Sequence, residues 1–236
     1  MRVRVDLVPG PAPGLAPASP ARATPRWTGV AIDVLRATTT LSVALAAGAK
    51  RVVPLASVEE ALALRARSPE VLACGEREGR IVPGFDLGNS PFEYDAAHVA
   101  GRTLAFASTN GSHAMLAIAG CGLRLLAAFV NASAVLEALA DRPLVRIMCA
   151  GKLEGFALED AACAGWLCGR LAARGAVLEG PAARLVARLA PRDAAEVRSL
   201  VQGSSHGREL RDLGPEYARD VEFCATLDSL DRAASI

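Results

Sequence analysis

Aromatic residues make up only 4% of this 236-residue chain, too few to line a groove that stacks one base after another. An excess of either charge is also missing: 26 Lys and Arg stand against 25 Asp and Glu, a formal net charge of +1. No global field draws the chain to nucleic acid or an anionic membrane, so any anionic ligand must be held by local groups. Histidine is scarce, and His98, His113 and His206 lie too far apart for an HExxH-type metal site. The six cysteines include no CxxC pair and no zinc-ribbon spacing. Most of them fall inside apolar runs, where a thiol acts as a small buried hydrophobe, and reduced cysteines fit a cytoplasmic protein. No run approaches the roughly 20 apolar residues of a membrane span. The strand-like alternation of Met1 to Val8 is too short for a signal segment.

What the chain has in quantity is Ala, Leu and Val, which carry most of a 52% apolar fraction. Three stretches share one layout, an apolar run ending in small polar residues that open into an Ala-rich helix: Val30 to Ala47, Leu104 to Ala119 and Val145 to Cys168. In a parallel sheet such junctions line one edge, where helix N-termini offer unpaired N–H groups to an anion. Further strands are expected at Arg51 to Leu55, Val71 to Cys74 and Arg124 to Phe129. Ser57 with Glu60, and Ser90 with Glu93 behind Pro91, are capping-box patterns that start helices. Pro181 to Leu189 and Arg192 to Val201 read as two amphipathic helices broken at Pro191, followed by a Gly-rich turn at Gly203 to Gly207. Pro9 to Pro25 reads as a meandering loop. The alternation predicts a single α/β domain over 1–236, a three-layer α/β/α sandwich on a largely parallel or mixed sheet. Two similar α/β halves meeting near Cys121 are the alternative.

The junctions carry the polar inventory. Asp33 ends a strand, where a carboxylate can hold Mg2+ beside waters and substrate oxygens. Arg36 can grip a phosphate or sulfonate with two N–H groups, and Thr38 and Thr39 can cap the helix or point hydroxyls at the same anion. The long loop from Gly75 to Pro91 mixes candidate metal ligands, Glu76, Asp86 and Asn89, with an anion ligand, Arg77. The alternative there is a solvated loop with Asp86 in an Asx-turn. Ser108 to Ser112, with Asn110 and Gly111, forms a second anion nest, and Lys152 with Glu159 and Asp160 forms a third set. The bland alternatives are a surface charge for Lys152 and helix-dipole carboxylates for Glu159 and Asp160. Cys149 reads as a buried strand-end thiol. His206, between glycines, is either a proton donor or an exposed side chain. Cys74 to Arg80 fits the C-x5-R phosphatase loop by accident, because Glu76 and Glu78 would repel a dianion from inside it.

Taken together, IDVLRATTT (Ile32 to Thr40), GER (Gly75 to Arg77), GFDLGNSP (Gly84 to Pro91), TNG (Thr109 to Gly111), CAG (Cys149 to Gly151) and LED (Leu158 to Asp160) resemble the 2-phosphosulfolactate phosphatase family. His206-Gly207 and Asp220 to Cys224 are a looser echo. The resemblance implies Mg2+-dependent hydrolysis of 2-phosphosulfolactate to sulfolactate and phosphate, a reaction of coenzyme M biosynthesis, by an α/β/α fold. On that footing Mg2+ is placed on Asp33, Glu76 and Asp86, with Asp160 as a further ligand or water orienter. Arg36, Thr38, Thr39, Arg77, Asn110, Gly111 and Lys152 hold the anionic groups, and His206 donates the proton. Attack by water is favoured over attack by Asp33, because Val34-Leu35 replace the DxDx[TV] run of aspartyl phosphatases. The competing readings are a Mg2+ phosphatase of another small phospho-acid and a non-enzymatic anion-binding protein. A homodimer is expected for an Ala- and Leu-rich α/β enzyme.

Overall fold

The computed structural model describes residues 1–10, 27–152 and 155–236. Most of the expected Pro9 to Pro25 loop lies outside them. In chain order the elements are β1 (Arg2–Asp6), β2 (Thr28–Ile32), α1 (Ala37–Ala46), β3 (Arg51–Pro54), α2 (Val58–Arg67), β4 (Val71–Arg77), β5 (Arg80–Ile81), α3 (Ala96–Val99), β6 (Thr103–Ala107) and α4 (Gly111–Ala117). They continue with β7 (Leu123–Ala127), α5 (Ala132–Ala138), β8 (Leu144–Cys149), α6 (Leu158–Ala173), β9 (Val177–Glu179), α7 (Gly180–Ala187), α8 (Ala194–Gly203), α9 (Ser205–Asp212), α10 (Pro215–Cys224) and β10 (Ala234–Ser235).

The strands form two sheets, not one. The larger runs β10-β7-β2-β8-β1-β9 and the smaller β3-β6-β4-β5. Every neighbouring pair is parallel except the edge strands β10 and β5. The smaller sheet is inserted between β2 and β7 of the larger, and the chain returns through the turn around Cys121. The α/β class read from the sequence stands, and the sandwich occurs twice with a shared middle layer.

Period-two alternation explains the layering. In β2, Val30 and Ile32 face a core shared with α5, α6 and α7, while Ala31 faces the opposite way. That second face is covered by α1 and α4 through Ala37, Leu41, Ala44, Ala114, Met115 and Ile118. The far side of those two helices packs on Val52, Cys74, Leu104 and Phe106 of the smaller sheet. Ala73, Ala105 and Ala107 then close the outer core with Ala61 of α2. Small side chains at these positions allow three helical layers to stack closely on two sheets.

Register places the chemistry. Ile32 pairs with both Ala127 and Cys149, so β2, β7 and β8 end level and the residues after them emerge at one edge. Gly75 pairs with Ala107 in the smaller sheet, which sets Glu76 beside the loop that follows β6.

Local signals held in several places. The Ser57–Glu60 capping box forms, with Glu60 N–H donating to Ser57 Oγ at 3.2 Å. Ser90 and Glu93 also form a box, although Pro91–Glu93 is only a 3-10 turn. Two segments differ from expectation. β4 runs on through Arg77 because Glu76 and Arg77 pair with Ile81 and Arg80 of β5. Gly203 to Gly207 is not an open turn: α8 ends at Gly203, and Ser204 caps α9 by accepting from Gly207 N–H at 2.9 Å. Gly207 serves close approach, since a Cβ there would collide with the carbonyl oxygen of Val201.

Candidate active site

A cleft of about 320 Å³ opens at the level ends of β2, β4, β6 and β8, walled by Asp33, Arg36, Glu76, Asn110, Lys152 and His206 among others. Asp33 follows β2 directly and is 7% exposed. Its turn is fixed by the threonines. Thr38 Oγ1 accepts from Asp33 N–H at 2.9 Å and donates to the carbonyl of Ala127 at 2.7 Å. Thr39 Oγ1 donates to the carbonyl of Val34 at 2.9 Å. Expected as anion ligands, Thr38 and Thr39 are placed as buried braces whose hydroxyls bond to the backbone.

Glu76 comes from the smaller sheet. Its Oε1 accepts from Thr109 N–H at 2.7 Å and its Oε2 from Gly79 N–H at 2.8 Å, so the carboxylate also fixes the loop that presents Asn110. Asp160, in the first turn of α6, accepts from Val34 N–H at 2.8 Å and Gly151 N–H at 3.1 Å. Both oxygens tie the β2 and β8 loops together, as those of Glu76 tie Gly79 and Thr109, but Asp160 is not among the residues that line the cleft.

Charge density in this wall is high. Burial pushes the Asp33 carboxyl up to about 7; His206 opposes the rise, while Glu76 and Glu159 add to it. Asp160 is raised well above the usual carboxylate range by burial first, then by Asp33 and Glu159. The cations present are largely engaged. Arg36 is 4% exposed, ion-paired to buried Asp220, donates to the carbonyl of Gly79 at 2.6 Å and lies 5.1 Å from the Tyr217 ring. Lys152 pairs with Glu209. His206 Nδ1 sits 3.1 Å from Glu159 Oε1.

Two expected ligands, Asp86 and Arg77, are not among the residues that line the cleft, and a third, Gly111, packs against Asp33. Asp86 accepts from Arg65 at 3.1 Å and from Ala73 N–H at 2.8 Å, and it does not line the cleft with Asp33. Arg77 donates to the carbonyl of its neighbour Glu76 at 2.7 Å and acts on Glu59 of α2, away from the cleft. Gly111 serves spacing: a Cβ there would stand 2.5 Å from Asp33 Oδ2 and closer still to Ala37 Cβ. The Cys74 thiol, buried and pushed up to about 12, supplies no thiolate to a C-x5-R loop, and burial raises Cys149 likewise.

These placements set two expectations. Asp86→Asn keeps a hydrogen-bond acceptor at an exposed pair, so turnover should stay within about twofold and stability should fall by about 1 kcal/mol or less; initial rates and melts check both. Gly111→Ala should cost about 1–3 kcal/mol of stability through overpacking and lower turnover by pushing the Asp33 carboxylate aside, which rates and denaturant melts would separate.

Sequence reasoning missed Asp220, Glu209 and the pairing of Glu159 with His206. Asp220 lies 184 positions from Arg36, and no local pattern announces such a pair. Glu209 shares a helix face with His206 at i,i+3, a signal hidden while that segment read as a turn.

Among the described residues no group of three or more His, Cys, Asp or Glu is gathered as a metal cage. Mg2+ does not require one: it is held by one or two carboxylates together with waters and substrate phosphate oxygens. Asp33 and Glu76 fit that donor set, and their mutual repulsion is what a divalent cation would relieve.

Buried carboxylates facing amide, ammonium and imidazole donors across one small cleft are the equipment of an enzyme that does acid–base chemistry on a small anion. Comparison with known proteins makes this specific. The family model described as 2-phosphosulpholactate phosphatase matches residues 15–234, and the chain belongs to that family of phosphoric monoester hydrolases. It is 40% identical over 203 residues to a probable 2-phosphosulfolactate phosphatase of Carboxydothermus hydrogenoformans, covering 86% of this chain and 83% of the relative. A protein of the same description from Symbiobacterium thermophilum is 42% identical over 205 residues, 85% of this chain and 87% of its own. Another from Deinococcus radiodurans is 37% identical over 234 residues, 97% and 90% respectively.

Proposed function

We propose that this protein hydrolyses 2-phosphosulfolactate to sulfolactate and inorganic phosphate with Mg2+ in the cytoplasm. The observation that carries the reading is the convergence of Asp33 and Glu76 from separate sheets on one cleft with Asn110, Lys152 and His206. The cleft is at the small end of ligand pockets, as a three-carbon substrate requires. Six cysteines without a disulfide accord with a reducing compartment. No helix among the described residues is long and apolar enough to cross a membrane.

Asp33 and Glu76 would hold the Mg2+, whose part is to neutralise charge on the phosphoryl oxygens. The remaining work falls to side chains. Asn110 offers its amide to the phosphoryl group, and Lys152 exchanges Glu209 for the carboxylate or sulfonate of the substrate. Arg36, already paired, lends a positive wall and not a vacant fork. Carboxylate oxygens of Asp33 orient a water for in-line attack on phosphorus. As the ester P–O bond breaks, His206 gives a proton to the departing oxygen. A passive anion binder gains nothing from burying Asp33, Glu76, Glu159 and Asp160 in one wall, which favours catalysis over simple capture.

The test is phosphate release from 2-phosphosulfolactate by the purified protein. Release should stop in EDTA and return with Mg2+, and Mg2+ near a hundred times its Kd should stabilise the fold by about 2.7 kcal/mol. No release at saturating Mg2+ would overturn the activity. Melts indifferent to Mg2+ would overturn the metal site.

A further inference from the structure

The mechanism leaves one buried group of the wall without a task. Glu159 is 1% exposed and lies at the second position of α6. A carboxylate in a first turn favours the helix dipole, but an exposed one does so as well, with a contribution of well under what burial of a charge costs. Here burial sets Glu159 beside two other acids and works against the ionisation of both Asp33 and Asp160. Its partner is His206, 47 positions on, whose Nδ1 lies 3.1 Å from Oε1. His206 enters from the first turn of α9, and its side chain is 18% exposed, toward the cleft that it lines.

We infer that Glu159 is the positioning residue of the proton donor: it holds His206 by Nδ1–H, which fixes the ring and turns Nε2 toward the leaving oxygen. The inference rests on the phosphatase reading above and adds a residue to it. A carboxylate bonded to one ring nitrogen fixes which nitrogen faces the reaction. In the step, the ester P–O bond breaks and its electron pair passes to the leaving oxygen. That oxygen takes the proton from Nε2. The attacking water forms the new P–O bond, keeps one proton on the phosphate and gives the other to solvent, and the neutral imidazole recovers its proton from solvent. Glu159 neither gains nor loses a proton. The other groups facing His206 are Asp33 from the β2–α1 turn, Glu209 from its own helix and Lys152 across the cleft. Of these, Glu209 is engaged by Lys152, and Asp33 faces the proposed ion.

The experiment compares two esters in Glu159→Gln, which keeps an acceptor for Nδ1–H but not its charge. With 2-phosphosulfolactate, whose aliphatic oxygen needs a proton to leave, kcat should fall roughly 10²-fold with KM nearly unchanged. With p-nitrophenyl phosphate, whose phenolate leaves unaided, the fall should be about threefold or less. The His206 Nδ1–H resonance, read by NMR without turnover, should lie downfield in the parent and move upfield in the variant. His206→Asn should show the same selective loss, and the double variant no further loss. Equal losses on both esters, or a His206 Nδ1–H resonance that does not move, would overturn the inference. If the wild-type protein releases phosphate from neither ester, the phosphatase reading fails, and the Nδ1–H resonance still decides whether Glu159 holds His206.

Discussion

Asp33→Asn is expected to yield a protein without phosphatase activity that is more heat-stable than its parent at pH 8 in EDTA. The loss of activity, on the order of 10³-fold or more, follows from removing one of two carboxylates proposed to hold the ion and orient the water. The gain in stability follows from linkage. An aspartate ordinarily titrates near 3.8, and burial in the wall holds this one at about 7. Below about pH 4 both folded and unfolded chains carry the proton, and no penalty exists. Between about 4 and 7 the unfolded chain has lost it while the folded chain retains it, so stability falls as pH rises through that window. Above about 7 the penalty is complete, on the order of a few kcal/mol. Asparagine has nothing to ionise. The gap between variant and parent should therefore open from pH 4 to 7 and then level off, reaching roughly 5–10 °C in a chain of this length. Mg2+ should close the gap by stabilising the parent alone. A difference in Tm that is flat from pH 4 to 8 would contradict the burial argument.

Asp220→Ala should be the most destabilising single change among the cleft-wall residues. Both members of the Arg36–Asp220 pair are nearly inaccessible, at 3% and 2%. Removing the carboxylate leaves a guanidinium buried without its counter-charge, which costs about 3–5 kcal/mol. Ser90 Oγ loses its 2.6 Å acceptor at the same time. Denaturant melts should show the midpoint falling at constant slope. Because Asp220 joins α10 to the β2–α1 turn and to the loop before the 3-10 turn, activity should fall beyond the loss of folded protein. An apolar replacement of both partners, Arg36→Met with Asp220→Leu, should recover most of the stability and none of the activity. That split would separate the pair's structural contribution from the positive charge Arg36 lends the cleft.

The difference between what could and could not be read from the residues has a physical basis. Val30 to Ile32, Leu104 to Ala107 and Val145 to Cys149 declared themselves as strands because each is a short apolar run closed by small polar residues, and the polar residues after them had to emerge at one edge. The capping serines worked for the same reason: the pattern and its hydrogen bonds lie within four residues. Asp86, Arg77, Thr38 and Thr39 are placed away from the expected ligand positions, because polarity alone does not say whether a side chain faces a cleft or a neighbouring backbone. Asp86 is consumed by Ala73 and Arg65, and the threonines by the turn they brace. The division into two sheets was visible only as the alternative of two α/β halves, since β3 and β6 look like any other strands until their partners are known. His206 was noticed, but its helix was not, because Gly203 and Gly207 suggest a bend where close helix contact is the actual demand.

The helices α1 and α4 are common property of the two sheets, and this has a consequence for how the enzyme fails. Loosening the inserted sheet strips the cover from one face of the larger one, and loosening the larger sheet does the same in return. Heat or denaturant thus finds no intermediate stop at which one half survives with its Asp33 or its Glu76 in place. The cleft is kept or lost in one cooperative event.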